Sequence, residues 1–142
     1  FRELGIDPKW FPTAFEEDYL RLCPQKTHLF PHAHETLGYL QEKYVLHLIS
    51  NGFGDAAECK VTKCDLKKYF STIVISEVVG FHKPHPQIFH YAVANANTAI
   101  SHSVMGAQQV GMDAIYFNPN ETDIPPDVKR SIRTLDELRR LF

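Results

Sequence analysis

The chain has 142 residues and a mass of 16.3 kDa, which is the size of one compact domain. Apolar residues make up 44% and charged residues 23%, enough to bury a core and to exclude both disorder and a disulfide-dependent miniprotein. A formal charge of -2 argues against a nucleic-acid polymer as partner, because phosphate neutralisation calls for a basic surplus. No apolar run approaches the roughly 20 residues that span a bilayer, and mean hydropathy is -0.26. The expectation is a soluble domain with no membrane partner.

Cys23, Cys59 and Cys64 cannot all pair with one another and lack zinc-knuckle spacing. They read as small core or helix residues of a reducing compartment. With no secretory signal in view, the expected localisation is cytoplasmic. The chain opens at Phe1 rather than Met, as expected of a sequence whose true N-terminus lies upstream.

Taken in order, the first predicted element is a helix over Ala14 to Leu22, with Thr13 as N-cap and Glu16 completing a capping box. Phe15, Tyr19 and Leu22 share a face, Pro24 ends the helix, and Cys23 to Pro31 is a connector. A second helix starts near Pro31 and turns Ala33, Leu37 and Leu40 toward a core. Tyr44 to Ile49 is a continuous apolar run, the mark of a strand buried on both faces, and it stops at Ser50-Asn51-Gly52. A helix over Ala56 to Leu66 follows, then a second buried strand over Thr72 to Ile75 that ends at Ser76-Glu77. Pro86 to Ala96 reads as a helix with Ile88, Phe89, Ala92 and Val93 apolar. Ser103-Val104-Met105 opens a third strand, and Ala114 to Phe117 is a fourth, closed by Asn118-Pro119. The tail carries Thr134 as an N-cap with Glu137 three residues on, then a stripe of Leu138, Leu141 and Phe142.

Short buried strands alternating with helices predict a Rossmann-like α/β fold, a parallel sheet with helices on both faces. Ligands of such sheets bind beyond the carboxyl ends of the strands. At the first strand's end, Ser50 offers a hydroxyl, Asn51 an amide and Gly52 an unhindered backbone N–H, a small anion cradle. The triplet read singly is also a plain turn. After the second strand, Lys83 stands in Gly80-Phe81-His82-Lys83-Pro84-His85-Pro86, where two prolines restrict the backbone. A stiffened loop suits an ammonium that must arrive at a fixed point, although a solvated lysine in a Pro-rich turn fits as well. The helix starting near Pro86 adds positive potential nearby.

Together these signals are more specific. An apolar strand followed by Ser-Asn-Gly, then a strand followed by Lys-Pro-x-Pro-x-x-Phe, resembles the second and third motifs of the haloacid dehalogenase superfamily. Gly106-Ala107-Gln108-Gln109-Val110-Gly111-Met112, followed by a strand and Asn118-Pro119, resembles that family's segment downstream of its fourth motif. The likeness runs from about Pro31 to Phe142. It divides the chain into the last part of an inserted helical cap over 1–28 and the α/β core over 29–142. Ile49-Ser50-Asn51-Gly52-Phe53 and the helical cap most resemble the pyrimidine 5'-nucleotidase-like phosphatases. The resemblance implies a Mg2+-dependent phosphatase with an aspartate nucleophile and an aspartyl-phosphate intermediate. It implies that Ser50 bonds a phosphoryl oxygen with help from the Asn51 backbone N–H, and that Lys83 neutralises the charge gathered there. The implied substrate is a small phosphorylated metabolite, with a nucleoside 5'-monophosphate as candidate. A 2-haloacid dehalogenase and an inactive pseudo-phosphatase acting as a binding module are the alternatives, and dimerisation stays open.

Two departures stand out. The family's first motif, Asp-x-Asp-x-Thr or -Ser, should precede the cap and does not occur in the sequence. Met105 also runs straight into Gly106, where the family carries metal-binding acids, and Asp113 lies beyond that place. The resemblance puts the first-motif strand in mid-sheet, between the runs ending at Ile49 and Met105. Its loss would orphan rows of buried backbone groups at about 1–3 kcal/mol each, against a domain stability of about 5–15 kcal/mol. A longer polypeptide is therefore expected rather than a degenerate relative.

Eight histidines invite a metal reading. His32 and His34 point in two directions on a helix, however, and no set reaches ligand spacing. His82 and His85 flank Lys83 and read as solvated loop residues with possible reach to substrate. Trp10, Phe11 and Phe15 read as cap packing or as a substrate-facing wall. Arg130, Arg133, Arg139 and Arg140 read as a solvated helix face.

Overall fold

The computed structural model describes residues 13–95 and 111–142. The element order is α1 (Thr13–Leu22), α2 (Ala33–Gln41), β1 (Leu46–Ser50), α3 (Gly54–Lys63), β2 (Phe70–Ile75), α4 (Ser76–Val79), α5 (Pro86–Asn95), β3 (Tyr116–Phe117), β4 (Ser131–Ile132) and α6 (Leu138–Leu141). Strands alternate with helices and pair in parallel, as the α/β reading requires. The expected third strand at Ser103-Val104-Met105 lies outside the described residues, as do Trp10, Phe11 and the side chain of Phe15. So does the Thr13–Glu16 cap.

β1 and β2 form the pair that positions the site. His47 lies opposite Thr72, Ile49 opposite Val74 and Ser50 opposite Ile75, with an irregularity between Leu46 and His47. α3 supplies the crossover between them. Side chains alternate across the pair, so Val74 turns to one face and meets Ile88, Phe89 and Ala92 of α5. These four residues are 0–2% exposed, and burying each large one contributes about 1.5–3 kcal/mol. Ile49, Val79 and Met112 pack around them. On the other face, Ile73 and Ile75 turn toward Val61 of α3 and line a cavity of about 270 Å³, together with Glu58 and Lys67, which pair at 3.1 Å.

β1 differs from expectation in two ways. It begins at Leu46 rather than Tyr44, because the Tyr44 N–H is still bonded to the Leu40 carbonyl at 2.8 Å as the chain leaves α2. The Tyr44 ring meets Phe142 edge-on at 5.7 Å, and Val45 is 51% exposed. β1 is also half-buried along its whole length rather than buried on both faces. Among the described residues its only ladder partner is β2.

The tail forms a second parallel pair, Tyr116 opposite Ser131 and Phe117 opposite Ile132. The strand expected over Ala114 to Phe117 thus shrinks to two residues, and β4 is a partner that no apolar run announced. The Thr134–Glu137 capping box forms, with the Thr134 N–H donating to Glu137 Oε1 at 2.8 Å. Arg130 and Arg133 flank β4 rather than a helix. They pair with Asp113 at 2.5 Å and Glu121 at 3.1 Å, which corrects the expectation of a shared helical face.

α1 leads into a 3-10 turn over Cys23–Gln25, so Pro24 starts a tighter turn where a plain helix end was expected, and its ring is buried. This connector lies on α3. The Cys64 thiol donates to the Thr27 carbonyl at 3.7 Å, and the Cys59 thiol faces the Pro24 carbonyl at 4.0 Å. All three cysteines are free and half-buried.

Candidate functional site

The tips of β1 and β2 carry the residues that sequence singled out. Ser50 is the last residue of β1, half-buried, and its hydroxyl has no partner among the described residues. Lys83 arrives from the loop that follows β2 and α4. Its Nζ donates to the Ile49 carbonyl at 2.7 Å, so the ammonium sits against the peptide bond that joins Ile49 to Ser50. Burial pushes the Lys83 ammonium below its ordinary value, because a low-dielectric surrounding disfavours the charged form. The 32 intervening residues are folded so that hydroxyl and ammonium share one strand tip.

Three side chains fix that arrangement. Asn51 Oδ1 accepts the Lys83 N–H at 2.7 Å, and Asn51 Nδ2 donates to the Lys83 carbonyl at 3.0 Å. Ser76, fully buried at the end of β2, accepts the Gly52 N–H on its hydroxyl at 3.1 Å. Glu77 Oε2 accepts the Gly54 N–H at 2.6 Å, setting a carboxylate at the N-terminus of α3, where anions are favoured. A Cβ on Gly54 would stand 3.3 Å from that carboxylate oxygen, so the close approach suits glycine.

This alters the expected roles in part. The Gly52 N–H, proposed from sequence as an anion donor, is turned inward to Ser76, so Gly52 supplies a bend here instead of a cradle donor. Asn51 acts through its side chain on the Lys83 backbone. Ser76 and Glu77 were passed over in sequence, although they follow a buried strand directly and so stand where the strand-end rule directs attention.

The path from β2 to Lys83 is set by backbone chemistry. α4 is a single turn that closes with the Gly80 N–H bonded to the Ser76 carbonyl at 2.8 Å, and Gly80 has φ +79°, a left-handed conformation that glycine adopts without strain. The Lys83–Pro84 peptide is cis. Phe81 and His85 stack at 4.8 Å on either side of Lys83. His85 Nδ1 accepts the Gln87 N–H at 3.2 Å and so caps α5. His82 and His85 are exposed.

The described residues do not make a Mg2+ site. No group of three or more His, Cys, Asp or Glu side chains converges among them. Glu77, just after β2, is committed to a backbone N–H, and Asp113 is paired with Arg130. His32 is drawn into an exposed pair with Glu35 at 2.6 Å rather than toward His34, whose Nδ1 meets the Tyr69 hydroxyl at 3.0 Å.

The chain is similar to several known proteins. The sequence profile of the haloacid dehalogenase-like hydrolase family matches residues 1–114. The pyrimidine 5'-nucleotidase YjjG of Escherichia coli is 26% identical over 98% of the chain and 66% of its own length. The glyceraldehyde 3-phosphate phosphatase of Methanothermobacter thermautotrophicus is 33% identical over 69% of the chain and 48% of its own length. The chain therefore spans about half to two thirds of the length of these curated relatives. Among solved structures, the HAD-hydrolase YfnB of Bacillus subtilis, bound to magnesium, superposes with a TM-score of 0.84 at 23% identity, covering 99% of the chain and 66% of YfnB. Haloacid dehalogenases are structural neighbours too. Parallel strands whose tips present Ser-Asn-Gly and a loop lysine, together with a profile match over most of the length, place this chain in the haloacid dehalogenase-like hydrolase family.

Proposed function

We propose that the protein hydrolyses a small phosphomonoester, with Ser50 donating to a phosphoryl oxygen and Lys83 countering the charge gathered there. The observation that carries this reading is the Lys83 ammonium held 2.7 Å from the Ile49 carbonyl, one peptide unit from Ser50. Phosphoryl transfer needs charge stabilisation and in-line positioning more than covalent participation by many groups. An ammonium fixed beforehand acts without reorganisation at the moment of reaction. Its half-buried setting strengthens its attraction for an anion relative to open water.

The similarity to a pyrimidine 5'-nucleotidase favours a nucleoside 5'-monophosphate as substrate, and the sugar-phosphate phosphatase relative keeps the class of small phosphorylated metabolites wide. The aspartyl-phosphate route and Mg2+ belong to this proposal through family resemblance. They call on carboxylates other than those described at the tip. The division into a cap remnant over 1–28 and a core over 29–142 is part of the same reading.

The test uses the protein expressed from its natural gene, assayed for phosphate release from p-nitrophenyl phosphate and from a panel of nucleoside monophosphates. Lys83→Ala is expected to lower kcat by about 10²–10³-fold. Chloride release from 2-chloropropionate without phosphate release would replace this reading with the dehalogenase, whose fold is shared. Neither activity would leave a binding module.

A further inference from the structure

We propose that Asn51 is a positioning residue for Lys83, its carboxamide holding the lysine's main chain at the strand tip so that the ammonium is delivered to one place. This rests on the phosphatase reading above.

The argument starts from what Lys83 lacks. A lysine has four side-chain torsions, and fixing them costs side-chain entropy. A single hydrogen bond from Nζ does not define where the ammonium sits unless the backbone that carries it is fixed as well. Lys83 is fixed at both levels, and by the same short segment. Its N–H and C=O both pair with the Asn51 carboxamide, at 2.7 and 3.0 Å, while its Nζ reaches Ile49, two residues before Asn51, at 2.7 Å. The three bonds close a ring around Ser50.

Only a primary amide can make the backbone pairing in full. It accepts from one peptide group with its oxygen and donates to the next with its nitrogen, as a neighbouring strand would. Aspartate keeps the accepting half and loses the donating half. Serine is too short, and the extra methylene of glutamine displaces the amide. The partner that Asn51 addresses is backbone, so the residue reaches the chemistry only through Lys83.

The experiment compares Asn51→Ala, Asn51→Asp and Lys83→Ala in the protein expressed from its natural gene. Two readouts are taken: p-nitrophenyl phosphate kinetics, and hydrogen exchange at the Lys83 amide. Misplacing a catalytic group by about 1 Å costs about 10²-fold, so Asn51→Ala is expected to lower kcat by that order and to speed exchange at Lys83. Asn51→Asp retains the accepting oxygen. It is expected to keep more of the Lys83 amide protection than Asn51→Ala does, through the accepting half of the pairing. A merely structural role would lower both variants in proportion to their stability. Near-native kcat in Asn51→Ala, with Lys83→Ala inactive, overturns the positioning role alone. Full activity in Lys83→Ala overturns the site reading and this proposal with it.

Discussion

Ser76 Oγ accepts the Gly52 N–H at 3.1 Å, joining the tips of β1 and β2 across 24 positions of sequence. Ser76 is fully buried, so water is poorly placed to replace its hydroxyl. Ser76→Ala is expected to lower unfolding free energy by about 1–3 kcal/mol, the cost of orphaning a buried donor. Urea denaturation measures this. A change within about 0.5 kcal/mol, ordinary for a surface position, would show that the Gly52 N–H finds another acceptor.

Glu77 sets its carboxylate on the Gly54 N–H at 2.6 Å, taking the place of an N-cap that Phe53 does not provide. Glu77→Ala is expected to cost about 0.5–2 kcal/mol, as loss of a capping acceptor does. Glu77→Gln keeps an acceptor and loses the charge, and should cost about 0.3–1 kcal/mol, a loss that shrinks as salt rises. Thermal melts at low and high ionic strength separate the two contributions.

His47 lies in mid-β1 with both ring nitrogens buried and without partners among the described residues. Burial pushes its imidazole below the ordinary 6.5, since the charged form is desolvated. The folded pKa is therefore lower than the unfolded one, and the unfolded chain binds the extra proton first. Stability is at its plateau above pH 6.5 and falls as pH drops from there through the folded value. His47→Leu should abolish that fall and, by removing two orphaned polar atoms, raise stability by about 1–3 kcal/mol. His32 works with opposite sign: its bond to Glu35 raises the folded pKa, so its contribution is present below 6.5 and lost as pH rises. That pair is exposed and its effect is small. Unfolding curves across pH 5–8 for His47→Leu and His32→Ala distinguish the two histidines. An unchanged acid limb in His47→Leu would remove His47 from the account.

Phe89 is 1% exposed and stands at the centre of the α5–β2 contact with Val74, Ile88 and Ala92. Phe89→Ala is expected to cost about 3–5 kcal/mol, a large part of a domain's typical margin of about 5–15 kcal/mol. Phe89→Leu should cost distinctly less, because more of the volume is retained. Guanidinium unfolding gives both values, and equal losses would mean the pocket around residue 89 does not close on the larger side chain.

Sequence made the site's outline readable because its signals are local. Apolar runs marked β1 and β2, turn formers marked their ends, and two prolines followed Lys83 on either side of His85. α5 forms over Pro86–Asn95 with Ile88, Phe89 and Ala92 inward, as its periodicity implies. What stayed hidden arises from approach across the fold. Ser76 and Glu77 earn their roles by meeting backbone donors 24 and 23 positions away, and no spacing rule reports such a meeting. β3 and β4 are two residues each, too short for any period. Tyr44 and Val45 are apolar enough to extend a strand, yet the end of α2 claims the first and solvent the second.

The three free thiols give the connector a gauge of its own. Cys59 of α3 and Cys64 just past its end look onto the carbonyls of Pro24 and Thr27, while Cys23 sits in the connector itself. If α1 and its connector lift away from α3 during turnover, the Cys59 and Cys64 sulfurs become more reachable together. If the segment stays seated, they stay shielded. Alkylation kinetics followed by peptide mass spectrometry would therefore read out the seating of this segment without any added label, with each cysteine reporting on a different point along one seam.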